Sequence, residues 1–265
     1  MTAILDTTRV CGINTELRVI GEGRPVVYLH SGDGIKRELD FVHGLSHLGR
    51  IHAPSHPGFG NSERPDDFKT VEDLAYFYLD LLDQHKLDDI TLIGASFGGW
   101  IASEMAVRST RRIRDLVLID TVGARFSDRD VVDIADIYML PDEEFRSRAF
   151  VDPAKGKIDI ANSSDDDLIE VSRNRIALCQ YAWSPYMHNP RLRRWLHRID
   201  VPTLLVWGAS DEIVTVDYGR KFAAEIPRAR LEVVEQAGHF PHIEQGKRVM
   251  QLIESFVAPA TVAAE

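Results

Sequence analysis

Gly94-Ala95-Ser96-Phe97-Gly98 is the stretch from which the chain is read. The apolar run Ile90–Ile93 before it predicts a buried strand, and Gly99–Val107 after it predicts a helix. Gly-x-Ser-x-Gly between a strand and a helix is a nucleophile elbow. The turn is sharp enough to force the serine into a strained backbone. The serine oxygen then stands above the sheet at the positive end of the helix. Glycines flank it because a Cβ at either place would strike the neighbouring strand or helix.

A serine hydroxyl does not ionise at neutral pH, so it needs a histidine to take its proton and a carboxylate to orient that histidine. Both occur downstream in the order serine, acid, histidine. Asp211 follows Thr203–Gly208, which reads as a buried strand ending in a loop. His239 lies in Gln236-Ala237-Gly238-His239-Phe240, after the apolar run Leu231–Val234. Rivals are weaker. Glu212 neighbours Asp211 but is expected to point away. Asp120 ends the run Leu116–Ile119 and is expected to bond loop backbone. His242 is expected to begin the final helix. His52 and His56 have a metal-ligand spacing for a helix, but Pro54 and Pro57 exclude a regular helix, so no metal site is expected.

With these residues in place the chain resembles the α/β-hydrolase superfamily. Three further segments carry the resemblance: His30-Ser31-Gly32-Asp33-Gly34 to its oxyanion loop, His56–Ser62 to its Pro-Gly-x-Gly-x-Ser loop, and Trp207-Gly208-x-x-Asp211 to its acid loop. The match runs over about 10–122 and 198–258. The resemblance implies an α/β fold: a mostly parallel central sheet, helices on both faces, and a helical cap inserted after the sixth strand. It implies a core of 1–122 and 198–265 and a cap of 123–197. Ser96, Asp211 and His239 are the implied triad. The oxyanion hole is expected from the amide of Phe97 and from Gly32 or Ser31; Ser31 stands where glycine is usual.

The resemblance further implies a cofactor-free serine hydrolase of a small, largely apolar ester or lactone, working through an acyl-enzyme. A C–C hydrolase of aromatic ring-cleavage products is the alternative. Those enzymes commonly carry Asn before the serine and Trp after the base, where this chain has Ala95 and Phe240. A receptor built on a hydrolase fold is the alternative from another class. Dehalogenases and epoxide hydrolases of this fold use Asp where Ser96 stands.

A net charge of −10 disfavours nucleic acid and anionic membranes as partners. The N-terminal residues show no secretory pattern and no run is long enough to span a bilayer. Cys11 and Cys179 read as two reduced thiols, so a cytoplasmic protein with a small-molecule substrate is expected; oligomeric state is left open.

Outward from the elbow, Val26–Leu29 and Arg50–Ala53 predict strands, and a short helix is expected near 38–48. Thr70-Val71-Glu72-Asp73 predicts a capping box opening a helix over 71–85. From Gly123 to Arg198 strand signals fade. Helices are expected at 128–140, 142–150, 165–183 and 191–198, and the last helix at 243–257; the tail 258–265 is expected to fray. Trp100, Tyr138, Met139, Trp183, Tyr186, Met187, Trp195 and Phe240 are the candidates for an apolar pocket under the cap. Arg173 and Arg175 read as a solvated helix face.

Overall fold

The computed structural model describes residues 4–128 and 130–257, so the tail at 258–265 lies outside the described residues. Among the described residues one sheet holds β1 (Ile4–Val10), β2 (Ile13–Ile20), β3 (Pro25–Leu29), β4 (Arg50–Pro54), β5 (Ile90–Ala95), β6 (Ile113–Ile119), β7 (Thr203–Gly208) and β8 (Ala229–Val234). Their order across the sheet is β1-β2-β4-β3-β5-β6-β7-β8. β1 and β2 pair antiparallel, as do β2 and β4; every other neighbouring pair is parallel. The antiparallel β1–β2 hairpin has no counterpart in the sequence reading, which begins its strands at Val26.

The central strands are apolar on both sides, which is why they read as unbroken runs. Val27, Leu29, Leu92, Leu118, Leu205 and Trp207 enter one core, while Val26, Tyr28, Ile93, Val117, Ile119, Leu204 and Val206 enter the other. The period of two sends alternate residues to opposite faces. The helices are α1 (Leu39–Gly44), α2 (Val71–Gln84), α3 (Phe97–Arg108), α4 (Asp142–Ala149), α5 (Asp165–Ala182), α6 (Leu192–Trp195), α7 (Val216–Ala224), α8 (Pro241–Glu244) and α9 (Gly246–Val257). Side chains of α2, α3 and α7 fill the first core; those of α1 and α9 fill the second. This is the α/β-hydrolase architecture expected from the sequence.

α2 starts at the expected capping box. Thr70 Oγ1 accepts the Asp73 amide at 3.3 Å, and Asp73 Oδ2 accepts the Thr70 amide at 2.8 Å. The stretch from 123 to 197, between β6 and β7, carries α4, α5 and α6. The helix expected at 128–140 does not form. Its backbone bonds outward instead: Ala135 N–H donates to the Ile213 carbonyl at 2.8 Å and Ile137 N–H to Tyr186 Oη at 2.8 Å, while the Asp133 side chain turns back to accept the amides of Phe126 and Ser127 at 2.7 and 2.9 Å. The β-branched pair Val131-Val132 also lowers helix propensity there.

Candidate active site

The elbow places Ser96 between β5 and α3 with φ 49° and ψ −110°. Its glycines are required by contact. A Cβ on Gly98 would lie 2.1 Å from the Leu29 carbonyl oxygen of β3, and one on Gly94 would lie 2.4 Å from the Gly98 carbonyl oxygen. Substitution at either would push α3 off the strands that hold it.

Ser96 Oγ lies 2.8 Å from His239 Nε2, and His239 Nδ1 lies 2.8 Å from Asp211 Oδ2. Asp211 Oδ1 accepts the amides of Ile213 and Val214 at 2.8 and 3.0 Å. Two backbone donors and one imidazole thus share the Asp211 carboxylate. An ionised Asp211 can only accept, so the Nδ1 proton faces it and Nε2 is left to accept from Ser96. The base loop is pinned separately. His239 N–H donates to the Ala149 carbonyl at 2.7 Å, and Gly238 N–H donates to Glu244 Oε2 at 2.7 Å. Glu244 also accepts the amides of Val151 and Asp152, at 3.3 and 3.0 Å, so it ties the base loop to the end of α4.

Asp120 is fully buried, has φ 41°, and accepts the Gly208 amide on Oδ1 at 2.9 Å. It bonds loop backbone as expected. Its Oδ2 accepts no donor, and Asp120, Asp211 and His239 bring one polar atom each within 4.8 Å of one another. Burial, then the neighbouring Asp211 charge, pushes the Asp120 carboxyl well above the usual carboxylate range. Among the described residues this is the one trio with metal-ligand spacing. Its Nδ1–Oδ2 bond uses atoms a cation would need.

The loop after β3 separates the two oxyanion candidates. Ser31 N–H donates to Glu38 Oε1 at 3.1 Å and Ser31 Oγ accepts the Asp33 amide at 3.3 Å, so Ser31 is committed away from Ser96. Gly32 lines the cavity beside Ser96 and Phe97. A Cβ there would stand 2.6 Å from Leu178 Cδ2. Of the two residues expected for the second donor, Ser31 is the one corrected, because its amide already has an acceptor in Glu38. Phe97 opens α3, where the first amides have no intrahelical acceptor.

His30 and His56 stack at 3.7 Å between ring centroids and brace the same loop. His30 Nδ1 donates to the Ser31 carbonyl at 2.6 Å, and its Nε2 accepts the His56 amide at 3.1 Å. His56 Nε2 donates to the His30 carbonyl at 2.9 Å. Burial pushes His30 down to about 4 and His56 well below the usual imidazole value, so both are neutral.

A cavity of about 40 Å³ lies over Ser96 and His239. Its walls include Val122, Ile134, Ile137, Phe145, Leu178, Met187, Ile213 and Phe240, with Asp33 as its one carboxylate. Five of these wall residues, Ile134, Ile137, Phe145, Leu178 and Met187, belong to the segment 123–197. A wider groove of about 820 Å³ runs between α5 and residues 58–64, but Ser96, Asp211 and His239 do not line it.

Phe240 and Met187 line the cavity; Trp100, Tyr138, Trp183 and Tyr186 do not. Trp100 is buried in the core and its indole N–H meets Glu104 at 3.2 Å. Tyr186 spends its hydroxyl on the Ala135 carbonyl at 2.7 Å. Tyr138 packs between Trp183 and Tyr186, and Trp183 faces solvent, as do Met139 and Trp195. The aliphatic walls Ile134, Ile137 and Ile213 went unnoticed in the sequence because isoleucine is the common residue of any core. Arg173 reaches the Gly60 carbonyl at 2.5 Å, outside the cavity.

The family model described as the alpha/beta hydrolase fold matches residues 25–245. The chain is 30% identical over 280 residues to a 2-hydroxymuconate semialdehyde hydrolase from Pseudomonas sp. strain CF600, covering 96% of this chain and 93% of that one. It is 26% identical to a 2-hydroxy-6-oxo-2,4-heptadienoate hydrolase from Pseudomonas putida, covering 93% and 94%. The solved structure of a thermophilic esterase from Thermogutta terrifontis superposes with a TM-score of 0.75 at 22% identity, covering 97% and 98%, a likeness of fold. The elbow, the order of the strands and these matches agree: the chain belongs to the α/β-hydrolase fold family and is a hydrolase.

Proposed function

We propose that this hydrolase cleaves a small, uncharged, largely apolar ester or lactone through an acyl-enzyme on Ser96. The observation that carries the reading is the unbroken chain of 2.8 Å contacts from Ser96 to His239 to Asp211 at the floor of an apolar cavity. In this reading His239 Nε2 takes the Ser96 proton as Oγ attacks the carbonyl carbon. The imidazolium so formed is stabilised by Asp211 and then protonates the leaving oxygen. The amides of Gly32 and Phe97 hold the oxyanion, each contributing on the order of 2.7–4 kcal/mol. Water, activated by the same histidine, releases the acid. The segment 123–197 serves as the cap that shapes the acyl pocket. Two free thiols, Cys11 and Cys179, fit a cytoplasmic setting, and no helix among the described residues is long and apolar enough to cross a membrane.

The names of the relatives favour a second reading, hydrolysis of a C–C bond in a ring-cleavage dienoate. Such a substrate brings a carboxylate and an enol that must be ketonised in the site. The cavity walls contain no Arg, Lys, Asn or Gln, and the charged side chain they add to the triad is acidic Asp33. Asp33 is itself paired with Arg37 at 3.0 Å, so a substrate carboxylate there would be desolvated with no cationic side chain in the cavity wall to meet it. We therefore expect kcat/KM for p-nitrophenyl butyrate to exceed that for a 2-hydroxy-6-oxo-dienoate. A dienoate preferred 100-fold over every ester tried would establish the second reading.

A further inference from the structure

One fully buried carboxylate has no part in the proton transfers above. Glu38 ends the turn Ile35–Glu38 and is 1% exposed. Every bond it makes leads to the site. Oε1 accepts the Ser31 amide at 3.1 Å, and Oε2 accepts the Tyr28 hydroxyl, from β3, at 2.7 Å. His242 Nε2 approaches Oε1 to 3.4 Å without forming a hydrogen bond, with both side chains fully enclosed. His242 belongs to α8, three residues beyond the proposed base.

A buried charge is costly, and an apolar side chain of similar volume would pack there at less expense. Glu38 is held below the usual glutamate range all the same: burial opposes the charge, but the neighbouring His242 and the Ser31 donor outweigh it. Only an acceptor at this point commits the Ser31 N–H away from the cavity. The next residue, Gly32, lines the cavity beside Ser96.

We propose that Glu38 is a positioning residue for the reaction, fixing the Ser31 amide so that the Gly32 amide is presented to the oxyanion, and tying that loop through His242 to the segment that carries His239. The proposal rests on the reading of Gly32 as an oxyanion donor. The structural alternative is that Glu38 merely supports the second core.

The test is phosphonylation of Ser96 by a fluorophosphonate, whose P=O takes the place of the oxyanion whatever the natural substrate. Three variants are compared with the wild type. Glu38→Gln keeps an acceptor for Ser31, and kinact should stay within about fivefold. Glu38→Leu removes the acceptor, and kinact should fall on the order of 10²-fold, as for loss of one oxyanion donor, with KI within about threefold. Glu38→Asp keeps the charge but draws it back by one carbon, and should lose at least about tenfold; it decides the matter if the leucine variant fails to fold. The acid limb of the rate should stay where it is in the wild type, since His239 is untouched. Rates are taken per reactive site, so a merely destabilised fold lowers the amplitude and not kinact. Wild-type kinact in both Glu38→Leu and Glu38→Asp overturns the proposal, as does Glu38→Asp alone when the leucine variant does not fold. A wild type that is phosphonylated but turns over no ester refutes the ester reading instead, and leaves the kinact comparison to decide on Glu38.

Discussion

Asp120 and Asp211 are two carboxyl groups in one buried place, and they cannot both be charged. Asp211 takes three donors and Asp120 one, and burial raises the Asp120 carboxyl well above the usual range, so Asp120 is the better holder of a shared proton. Asparagine imitates a protonated aspartate and fails to imitate an ionised one. We expect Asp120→Asn to keep ester turnover within about tenfold and Asp211→Asn to lose on the order of 10⁴-fold, because an amide favours the wrong imidazole tautomer. Steady-state kinetics of the two variants checks this; a greater loss at Asp120 would move the orienting acid to the end of β6. At this scale the contact of Ser96, His239 and Asp211 was legible in the sequence because each sits in a short motif just past a strand end. Glu38 and Glu244 were not, since a buried glutamate in a polar stretch has no mark that separates it from a solvated one. Trp183 and Tyr138 misled for the opposite reason: aromatic type says nothing of which way a side chain turns.

Helix α5 covers the site and is held down by side chains at two levels. Asn174, 3% exposed, donates to the Asp33 carbonyl at 3.0 Å and accepts the Gly60 amide at 2.9 Å, so one side chain joins the helix to both active-site loops. Tyr181 adds a bond from its hydroxyl to the Pro57 carbonyl at 3.2 Å. Asn174→Ala leaves the buried Gly60 N–H without an acceptor and should cost about 1–3 kcal/mol of stability. Trp183→Ala, at the solvent-facing end of the same helix, should change stability by less than about 0.5 kcal/mol. Denaturant melts of the pair measure both; equal losses would mean that α5 is held by its packing alone. α2, α4 and α5 were legible because their caps and their length are local. The stretch 128–140 was not, because its backbone finds partners on Ile213 and Tyr186, both far along the chain.

Over the whole molecule, burial sets the response to acid. His30 and His52 are each pushed down to about 4, and His56 and His85 are lowered as well. Below about 6.5 the unfolded chain binds protons at these imidazoles and the folded chain does not. The stability they contribute is therefore complete above 6.5 and is lost as pH falls toward 4, at up to about 1.4 kcal/mol per pH unit for each fully buried ring. Asp115 and Asp120, raised by burial, act in the opposite sense, but the four imidazoles outnumber them. Tm should fall steadily from pH 6.5 to 4.5 in calorimetry, and a flat Tm over that range would contradict the neutral imidazoles. The fold itself was legible at this scale from alternating strand and helix runs. The β1–β2 edge was missed because Ile4-Leu5-Asp6-Thr7-Thr8-Arg9-Val10 carries no continuous apolar run, and its pairing with β2 is what makes it a strand.

The central claim is that Ser96 is the nucleophile of a triad acting as a unit. Ester turnover by Ser96→Ala, in protein shown by its melt to be folded, tests it most directly. Turnover should drop on the order of 10⁴-fold or more. A variant that keeps even a tenth of the wild-type kcat would place the chemistry elsewhere.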